Sequence, residues 1–486
     1  MPHFLVHFRM ALPTLILSTA ARWLFVLPTL LFFYANAQAE VLPASVQTAL
    51  RNAQIPLENV AIVVQPVDAA APLVSHQSEK AMNPASVMKL LTTYAALDLL
   101  GPAYTWQTTA HVDAVPVDGV LAGNLYLKGN GDPRLAIEHL WALLRQLRVR
   151  GIERIAGDII LDRSAFALPT LDFPPFDDKP MRPYNVGPNA LLLNFQALRF
   201  TLRPEAGKPV ILMETPSEGL RTENRLRLTD NSCGSDWKDQ IETRLQSDAN
   251  GQRLVFSGPY PSQCGEKALN LSPLSADAQA DGLIRSLWRE LGGTLAGRVR
   301  GGVMPSGLPS FARQESASLA EIVRDINKFS NNVMARQLFL SLGNDTAPAS
   351  PERATRRLVE WLQSRNLRFS ELVLENGSGL SRSERISAGN LNRLLLDAWK
   401  SPTMPEFIAS MPIVGIDGTM KKRLVNASAS GRAHIKTGTL DGVKTAAGYA
   451  LDSQGRRHAV TFFINHPRAA LGGPAIDALL QWIAQR

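Results

Sequence analysis

The stretch "PASVMKL", from Pro84 to Leu90, places a serine and a lysine three residues apart where a helical pattern begins. Apolar residues then recur with helical spacing until Gly101–Pro102 ends the pattern. Residues three apart on a helix share a face, so Ser86 and Lys89 are expected to lie side by side. A serine hydroxyl is a weak nucleophile and needs such a neighbouring base. The stretch therefore predicts an activated serine in the first turn of a helix, where backbone N–H groups lack partners.

Two further short motifs follow in order, "SNN" starting at Ser330 and "KTG" starting at Lys436. Alone, each motif has little weight, because "SDWK" at Ser235 copies the first pattern and "SRN" at Ser364 copies the second. The settings differ, however. "SNN" falls at a break between two predicted helices, and "KTG", which occurs once, lies in a predicted strand followed by another strand. No helix is predicted to start at "SDWK". The ordered set of three motifs therefore indicates a site that no single motif would establish.

Each residue of this set suits a chemical role. Lys89 can accept the proton of Ser86 if burial and neighbouring positive charge keep its amine neutral. Ser330 is suited to relay a proton to a leaving amine, and Asn332 is suited to hold a substrate amide. The predicted catalytic residues are Ser86, Lys89, Ser330, Asn332 and Lys436.

The strand that contains "KTGT" supplies predicted substrate contacts. Lys436 and Thr437 can grip a carboxylate through charge-assisted hydrogen bonds. Gly438 leaves space beside the strand for a peptide to pair. The oxyanion of an acyl-transfer reaction is predicted to take the backbone N–H groups of Ser86 and Thr439.

The two ends of the mature sequence are predicted to meet in one sheet. "VAIVVQPVD" (Val60–Asp68) has the β-branched content of a strand, and "PLVSHQSEK" is a candidate hairpin partner. Near the C-terminus, "HIKTGT", "KTAAGYALD" and "RRHAVTFFIN" read as strands before a helix from Ala475 onward, and the turn "SQG" links two of them. With helices between these ends, the pattern predicts an α+β domain.

The segment between the first and second motifs has a different texture. Short strands such as "NLYLKG" and "DIILD" dominate it, with helices at "IEHLWALLRQLRV" and "ADGLIRSLWREL". We interpret it as β-rich modules inserted into a host domain. The predicted boundaries are a signal peptide at 1–39, a host domain at 40–104 and 308–486, an inserted domain at 105–183 and 271–307, and a second inserted domain at 184–270.

The three motifs, in this order, resemble those of the penicillin-recognising acyl-serine transferases. Ser86 and Ser330 stand 244 residues apart, which is far more than in simple serine β-lactamases. Together with "GNGDPRL", "NGSGLSR" and "KTGTLDGVKTAAGY", this spacing makes nearly all of the mature chain similar to the D-alanyl-D-alanine carboxypeptidase/endopeptidase family. These are class C low-molecular-mass penicillin-binding proteins, peptidase family S13. The resemblance implies a β-lactamase/transpeptidase-like domain, an antiparallel sheet flanked by helices, with two inserted β-rich domains. It also implies hydrolysis of peptidoglycan stem peptides and covalent inhibition by β-lactams.

Two departures from the family pattern leave the side-chain specificity open. Asp441 lies two residues after Thr439, where a related enzyme carries Gln, and Asn376 opens "NGSGLSR" where Asp is usual. Asp162 resembles an acidic residue that receives the amino group of diaminopimelate, but a turn residue at a strand end is an equal interpretation. Arg382 is either a substrate contact or part of a structural salt bridge. Asp441, Asp162 and Arg382 are the predicted substrate contacts outside the "KTGT" strand.

The N-terminus has the pattern of a signal peptide. Arg9 and Arg22 precede the apolar run "WLFVLPTLLFFY", and small residues follow in "ANAQAE", so cleavage after Ala39 is favoured over cleavage after Ala37. The run is short for a membrane span, although an uncleaved anchor is the alternative. We therefore expect export to the periplasm. The net charge of +8, which includes these two arginines, suits an anionic cell-wall surface or serves solubility.

The two cysteines of the chain, Cys233 and Cys264, both lie in the mature part. In an oxidising compartment they are predicted to form a disulfide, with two free thiols as the alternative, because a metal site needs about four ligands. His434 and His458 have no second ligand at metal spacing and are interpreted as strand-face residues. The sequence predicts no metal and no other cofactor. No basic run with interleaved aromatic residues suggests nucleic acid as a partner.

Three functions compete. A periplasmic serine D,D-peptidase fits every motif. A β-lactamase would differ in how fast water reaches the acyl-enzyme, and the look-alike of its E-x-x-L-N motif, "ALLLN", has Ala190 in place of Glu. Slow deacylation is therefore predicted. A non-catalytic wall-binding or β-lactam-sensing protein is disfavoured by the intact motifs and by the absence of a later apolar span in the sequence. The sequence leaves open the balance of carboxypeptidase and endopeptidase cleavage, the oligomeric state and peripheral association with a membrane.

Overall fold

The computed structural model describes residues 42–249, 251–344 and 347–486. The predicted signal peptide and its cleavage site therefore lie outside the described residues. Within the part that is described, no helix has the length and apolar character needed to cross a membrane.

The described residues form ten α-helices, and several of them have recognisable capping residues. Gly101, with a φ of 82°, ends the helix that follows the first motif, as the sequence predicts. Ser318 and Glu321 form a capping box at the start of the helix before Ser330. The helices are α1 Ala44–Asn52, α2 Lys89–Leu100, α3 Ile137–Val149, α4 Ala276–Glu290, α5 Leu319–Phe329, α6 Asn332–Ser341, α7 Pro351–Ser364, α8 Ala388–Trp399, α9 Met404–Ala409 and α10 Gly473–Gln485.

The strands of the same residues, taken in chain order, are β1 Val60–Pro66, β2 Val74–His76, β3 Ala81–Met82, β4 Gln107–Val112, β5 Val120–Leu121, β6 Leu125–Lys128, β7 Arg154–Ile155, β8 Ile159–Asp162, β9 Leu198–Glu205, β10 Lys208–Met213, β11 Leu220–Thr229, β12 Glu242–Asp248, β13 Gly251–Pro261, β14 Lys267–Leu271, β15 Thr294–Leu295, β16 Val299–Gly301, β17 Ser310–Glu315, β18 Ile386–Ser387, β19 Ala433–Leu440, β20 Val443–Leu451 and β21 Arg457–Asn465.

The sheet that joins the two ends of the described chain has five antiparallel strands in the order β19-β20-β21-β1-β2. The β1–β2 hairpin and the turn between β20 and β21 both form as the sequence predicts. Both faces of this sheet are covered. On β1, Val60, Ile62 and Val64 pack into one apolar cluster with α1 and α10, while Ala61 and Val63 pack into a second cluster with α2 and α5. Burial on both faces explains why the stretch is almost continuously apolar.

A mixed sheet in the order β16-β8-β6-β4-β17 has α3 and α4 packed on it. Four of its strands lie in the predicted inserted domain, whereas β17 lies in the predicted host range 308–486 and pairs with β4. Strands β6 and β8 run parallel and are connected through α3, which is the crossover that parallel strands require. This part is therefore less purely β than the sequence suggests, because α3 and α4 supply a large share of its apolar core.

The remaining inserted strands form three three-stranded sheets. The sheet β15-β7-β5 is short, and the sheets β10-β9-β14 and β11-β13-β12 surround a separate apolar cluster. The predicted disulfide between Cys233 and Cys264 is present there. The α+β fold class with inserted β-rich parts is confirmed. The residue boundaries of the inserted domains stay a prediction.

Candidate active site

The chain reaches Ser86 through a tight, strained approach. Ala85 has a φ of 46°, in the left-handed region that alanine rarely adopts, and the Asn83 side chain accepts a hydrogen bond from its N–H group at 2.9 Å. A single 3-10 turn, Ala85–Met88, then runs into α2, which begins at Lys89. Ser86 thus lies in a 3-10 turn just before the α-helix, where the sequence predicted the first turn of the helix itself. The half-buried serine still lies beside Lys89.

Lys89 has no exposed surface and lies between three oxygens. Its Nζ atom is 3.0 Å from Ser86 Oγ and 2.6 Å from Asn332 Oδ1, and it also contacts the backbone oxygen of Ser378. Burial lowers the pKa of Lys89 well below its usual value, and the positive charge of Lys436 lowers it further. Both effects favour the neutral amine, which is the form that a general base requires.

Ser330 occupies the predicted break between two helices. It follows α5 with a φ of 56°, and the Asn331 side chain caps α6 by accepting a hydrogen bond from Met334 N. The Lys436 Nζ atom lies 2.7 Å from Ser330 Oγ and 2.6 Å from the Thr437 carbonyl oxygen. Burial lowers the pKa of Lys436 to about 7. The second and third motifs are thus joined by a direct contact between their first residues.

Gly438 brings the "KTG" strand close to the serine. A Cβ atom at this glycine would lie 2.8 Å from Ser86 N and 2.2 Å from the Thr445 hydroxyl, so any larger residue would push the strand away. The Thr445 hydroxyl in turn donates to the Pro84 carbonyl at 2.8 Å, which ties β20 to the same approach. Thr439, at the end of this strand, is exposed. The predicted oxyanion donors therefore lie on adjoining segments of backbone.

Sequence reasoning did not identify two further parts of this cluster. The Ser378 carbonyl contacts Lys89, and Gly379 packs so closely on the Ala85 carbonyl that a Cβ atom would lie 1.8 Å from it. The "NGSGLSR" stretch that contains both residues supported the family resemblance but was given no contact with the base. Thr419, in the loop after α9, has its hydroxyl 2.9 Å from that of Thr437. No sequence signal singled out Thr419.

Arg382 lies at the edge of the cluster. It donates a 3.3 Å hydrogen bond to the carbonyl oxygen of Asp441, and its guanidinium lies 4.6 Å from the ring centre of Phe176 in the inserted part. Among the described residues it forms no ion pair, so the salt-bridge interpretation has no support. A cavity of about 430 Å³ lies beside Phe176, between segment 167–188 and α6. Its lining includes Phe173, Phe176, Arg336, Phe339, Glu375 and Leu380.

Asp162 and Asn376, whose roles the sequence leaves open, both have hydrogen-bond partners within the protein. Asp162 has no exposed surface, and its carboxylate accepts hydrogen bonds from Ser164 N and Met304 N at 2.9 Å each. This geometry favours the turn-residue interpretation over a contact with substrate. The Asn376 amide donates to the Leu380 carbonyl at 3.0 Å, a bond that an ionised aspartate could not make.

The copied motifs lie in different surroundings from the originals. Ser235 is exposed, and a short 3-10 helix, Trp237–Gln240, follows it, so the expectation that no helix starts there holds for an α-helix but not for a single 3-10 turn. Lys238 extends over the Trp237 ring at 5.5 Å. His458, buried in β21, lies 3.1 Å from the Asp452 carboxylate, consistent with a strand-face residue. His434 lies in β19.

Comparisons with known proteins agree with this geometry. A model of the D-Ala-D-Ala carboxypeptidase 3 (S13) family matches residues 42–486. The D-alanyl-D-alanine carboxypeptidase of Actinomadura sp. (strain R39) is 28% identical over 420 residues, which are 81% of this chain and 75% of that protein. D-alanyl-D-alanine carboxypeptidase DacB of Haemophilus influenzae is 25% identical over 419 residues, 84% and 85% of the two chains. The fold is similar to that of the crystal structure of penicillin-binding protein 4 (dacB) from H. influenzae. That match has a TM-score of 0.74 and 23% identity, and it covers 91% of this chain and 99% of that one.

Proposed function

The chain belongs to the D-Ala-D-Ala carboxypeptidase 3 (S13) family, and we propose that Ser86 is the acyl-accepting nucleophile of its serine-type carboxypeptidase activity. The protein removes the terminal D-alanine from peptidoglycan stem peptides, cleaves D-alanyl cross-links, or does both. It works in the periplasm, and β-lactams inhibit it by acylating the same serine.

The observation that carries this proposal is the set of partners around Lys89. A neutral lysine amine has two N–H groups and one lone pair. The oxygens of Asn332 and Ser378 are acceptors only, so they are suited to take the two N–H groups. The lone pair is then left for the Ser86 hydroxyl 3.0 Å away. This arrangement favours proton transfer from serine to lysine.

Acylation then follows in balanced steps. Ser86 Oγ attacks the carbonyl carbon of the scissile amide, its proton passes to Lys89, and the carbonyl electrons move to the oxygen. The backbone N–H groups of Ser86 and Thr439 stabilise that oxyanion. The oxyanion electrons re-form the carbonyl as the carbon–nitrogen bond breaks, and the departing amine takes the proton that Lys89 accepted. The Ser330 hydroxyl, which Lys436 orients, relays that proton. Water then hydrolyses the ester, releases the shortened peptide and restores the serine.

The carboxylate that ends a D-alanyl peptide, and its counterpart on a penicillin, is held by the third motif. Lys436 supplies the charge, and the Thr437 hydroxyl, steadied by Thr419, supplies a directed hydrogen bond. The stem-peptide side chain extends toward Arg382 and the cavity beside Phe176. The apolar lining of that cavity suits the aliphatic part of such a side chain.

One labelling experiment separates this function from its competitors. The purified protein is incubated with a fluorescent penicillin, excess label is removed, and the bound fluorescence is followed over hours beside release of D-alanine from a pentapeptide. A stable label with D-alanine release is expected. Rapid loss of label would indicate a β-lactamase. A stable label with neither D-alanine release from the pentapeptide nor cleavage of a cross-linked dimer would indicate a sensor, and no label would contradict acylation. Cell fractionation with a periplasmic marker enzyme tests the location.

A further inference from the structure

Glu384 is a fully buried carboxylate that takes no part in the catalytic steps above. Its Oε1 atom accepts three backbone hydrogen bonds, from the N–H groups of Glu375 at 3.1 Å, Asn376 at 3.0 Å and Gly377 at 3.1 Å. Its Oε2 atom is also buried and has no hydrogen-bond partner among the described residues. A carboxylate with three donors on one oxygen and none on the other fixes the backbone that donates to it, while its charge stays only partly compensated.

The backbone that this carboxylate fixes continues directly to the catalytic base. The Gly377 carbonyl accepts a 2.7 Å hydrogen bond from the Thr92 hydroxyl, one turn along α2 from Lys89. The next carbonyl, that of Ser378, contacts the Lys89 amine itself. The Asn376 side chain accepts a hydrogen bond from Ser378 N at 3.0 Å, which fixes the orientation of the Gly377–Ser378 peptide group. Displacing the three N–H groups would therefore move the carbonyl that holds one of the two amine protons.

We propose that Glu384 is a positioning residue for the base. It fixes the Ser378 carbonyl against Lys89, and its ionised form adds a buried negative charge next to the loop that contacts this amine. The inference rests on the proposed acylation of Ser86.

The charges that face these two groups have opposite effects. Lys436 on β19 and Arg336 on α6 lower the pKa of Lys89, whereas Glu384 raises it. Burial raises the pKa of Glu384 itself, the three backbone donors lower it, and Glu375 raises it. Removal of the Glu384 charge should therefore lower the pKa of Lys89 and extend the pH range in which its amine is neutral.

The test measures the second-order rate of labelling by a fluorescent penicillin as a function of pH in three proteins. These are the wild type, Glu384→Gln and the control Glu371→Gln, whose carboxylate accepts hydrogen bonds from Ser387 N and the Asn390 side chain. In Glu384→Gln the acid limb should move to lower pH while the plateau is kept, because the amide oxygen can still accept the three N–H groups. Glu371→Gln should leave the acid limb in place.

A second variant separates charge from geometry and covers the case in which Glu384→Gln does not fold. Glu384→Asp keeps the charge but is one methylene shorter, so its plateau should fall by about tenfold, as for a lost charge-assisted hydrogen bond, with the acid limb unmoved. Wild-type pH profiles in the folded variants would overturn the inference, as would a Glu384→Asp plateau equal to that of the wild type. A wild-type protein that takes no label would instead overturn the proposed function.

Discussion

The catalytic cluster and the inserted segment 184–270 use basic residues in opposite ways. In the cluster, Lys89 and Lys436 have no exposed surface and lie against neutral oxygens. In the inserted segment the cations pair with carboxylates in solvent. Arg199 and Glu214, for example, are 2.6 Å apart with 53% and 43% of their side chains exposed. Exposed pairs contribute about 0–1 kcal/mol each, whereas burial without a counter-ion displaces the pKa of the amine.

This contrast separates chemistry from stability. The cluster contains two buried amines whose charged forms are disfavoured by burial, and those amines are the groups that the proposed reaction needs. Among its described residues, the inserted segment contains no fully buried lysine or arginine. A disulfide links two residues of its apolar cluster. Substitutions in the cluster should therefore change reaction rates, and substitutions in the segment should change the free energy of unfolding.

The largest difference is expected between the two serines of the S-x-x-K patterns. Ser86→Ala should abolish covalent penicillin labelling because it removes the attacking oxygen, whereas Ser235→Ala should leave labelling intact because that serine is exposed on the inserted segment. Gel fluorescence of the two folded variants measures this. Equal loss in both would show that the wrong pattern was assigned to the nucleophile.

The matched lysines should differ by somewhat less. Lys89→Ala should slow acylation by about 10²–10⁴-fold, the range for a missing general base. Lys238→Ala should leave the rate unchanged, since that amine lies over the Trp237 ring. Stopped-flow acylation rates provide the measurement. An active Lys89→Ala variant would remove this lysine from the mechanism.

The next prediction concerns the binding of the substrate carboxylate by Lys436. One charge-assisted hydrogen bond contributes about 1.5–3 kcal/mol, so Lys436→Ala should weaken acylation by roughly 10–100-fold, while Lys208→Ala in the inserted segment serves as control. Carboxypeptidase and endopeptidase rates, measured on a pentapeptide and a cross-linked dimer, should fall together if Lys436 reads the carboxylate of the D-centre in both. Unchanged rates on both substrates would leave Lys436 as an ordinary strand lysine.

The pH dependence of kcat/KM reports the same two amines. Lys89 must be neutral to accept a proton, so the rate rises as pH increases through its depressed pKa. Lys436 must be charged to bind the carboxylate, so the rate falls as pH rises through about 7. Far above that value the loss approaches tenfold per pH unit. Lys436→Arg should keep the charge at high pH and remove the alkaline limb, and an alkaline limb that persists near pH 7 would exclude this assignment.

Much of this cluster is predictable because local sequence specifies local structure. Short patterns predict four features of the cluster. These are the helical spacing after Ser86, the helix end at Gly101, the break before Asn332 and the strand that contains Lys436. Their order then brings the first residues of the motifs together. The disulfide followed from the cysteine count and the expected compartment.

The rest depends on contacts between segments far apart in sequence. The Ser378 carbonyl reaches Lys89 across 289 residues, and Thr419 meets Thr437 through a loop whose own sequence has no distinctive pattern. A backbone carbonyl has no sequence signature, because every residue carries one. Asp162 illustrates the converse case, in which the sequence leaves two interpretations equal. A carboxylate at a strand end invites a functional interpretation, but its burial and two backbone donors become visible only in the fold.

The smallest expected effect on the reaction is that of the disulfide. Cys233 and Cys264 are 31 residues apart in sequence, and in the chain-entropy model a loop of this size contributes about 3.7 kcal/mol. Reduction, or the double substitution Cys233→Ser and Cys264→Ser, should therefore lower the thermal midpoint. At temperatures where both proteins are folded, the penicillin-labelling rate should not change. Thiol titration of denatured, unreduced protein should find no free thiols.

One set of contacts connects the disulfide region with the edge of the active site, so loss of the disulfide could still change the reaction rate. Asp239, six residues after Cys233, pairs with Lys179 at 2.9 Å and Arg182 at 2.8 Å, in the segment that also contributes Phe176 to the contact with Arg382. These pairs are partly exposed, and pairs of that kind contribute little. Asp239→Asn should accordingly leave the labelling rate unchanged. Reduction and Asp239→Asn could instead slow labelling to the same extent. The inserted segment would then position the edge of the active site, and it would affect the reaction rate as well as the free energy of unfolding.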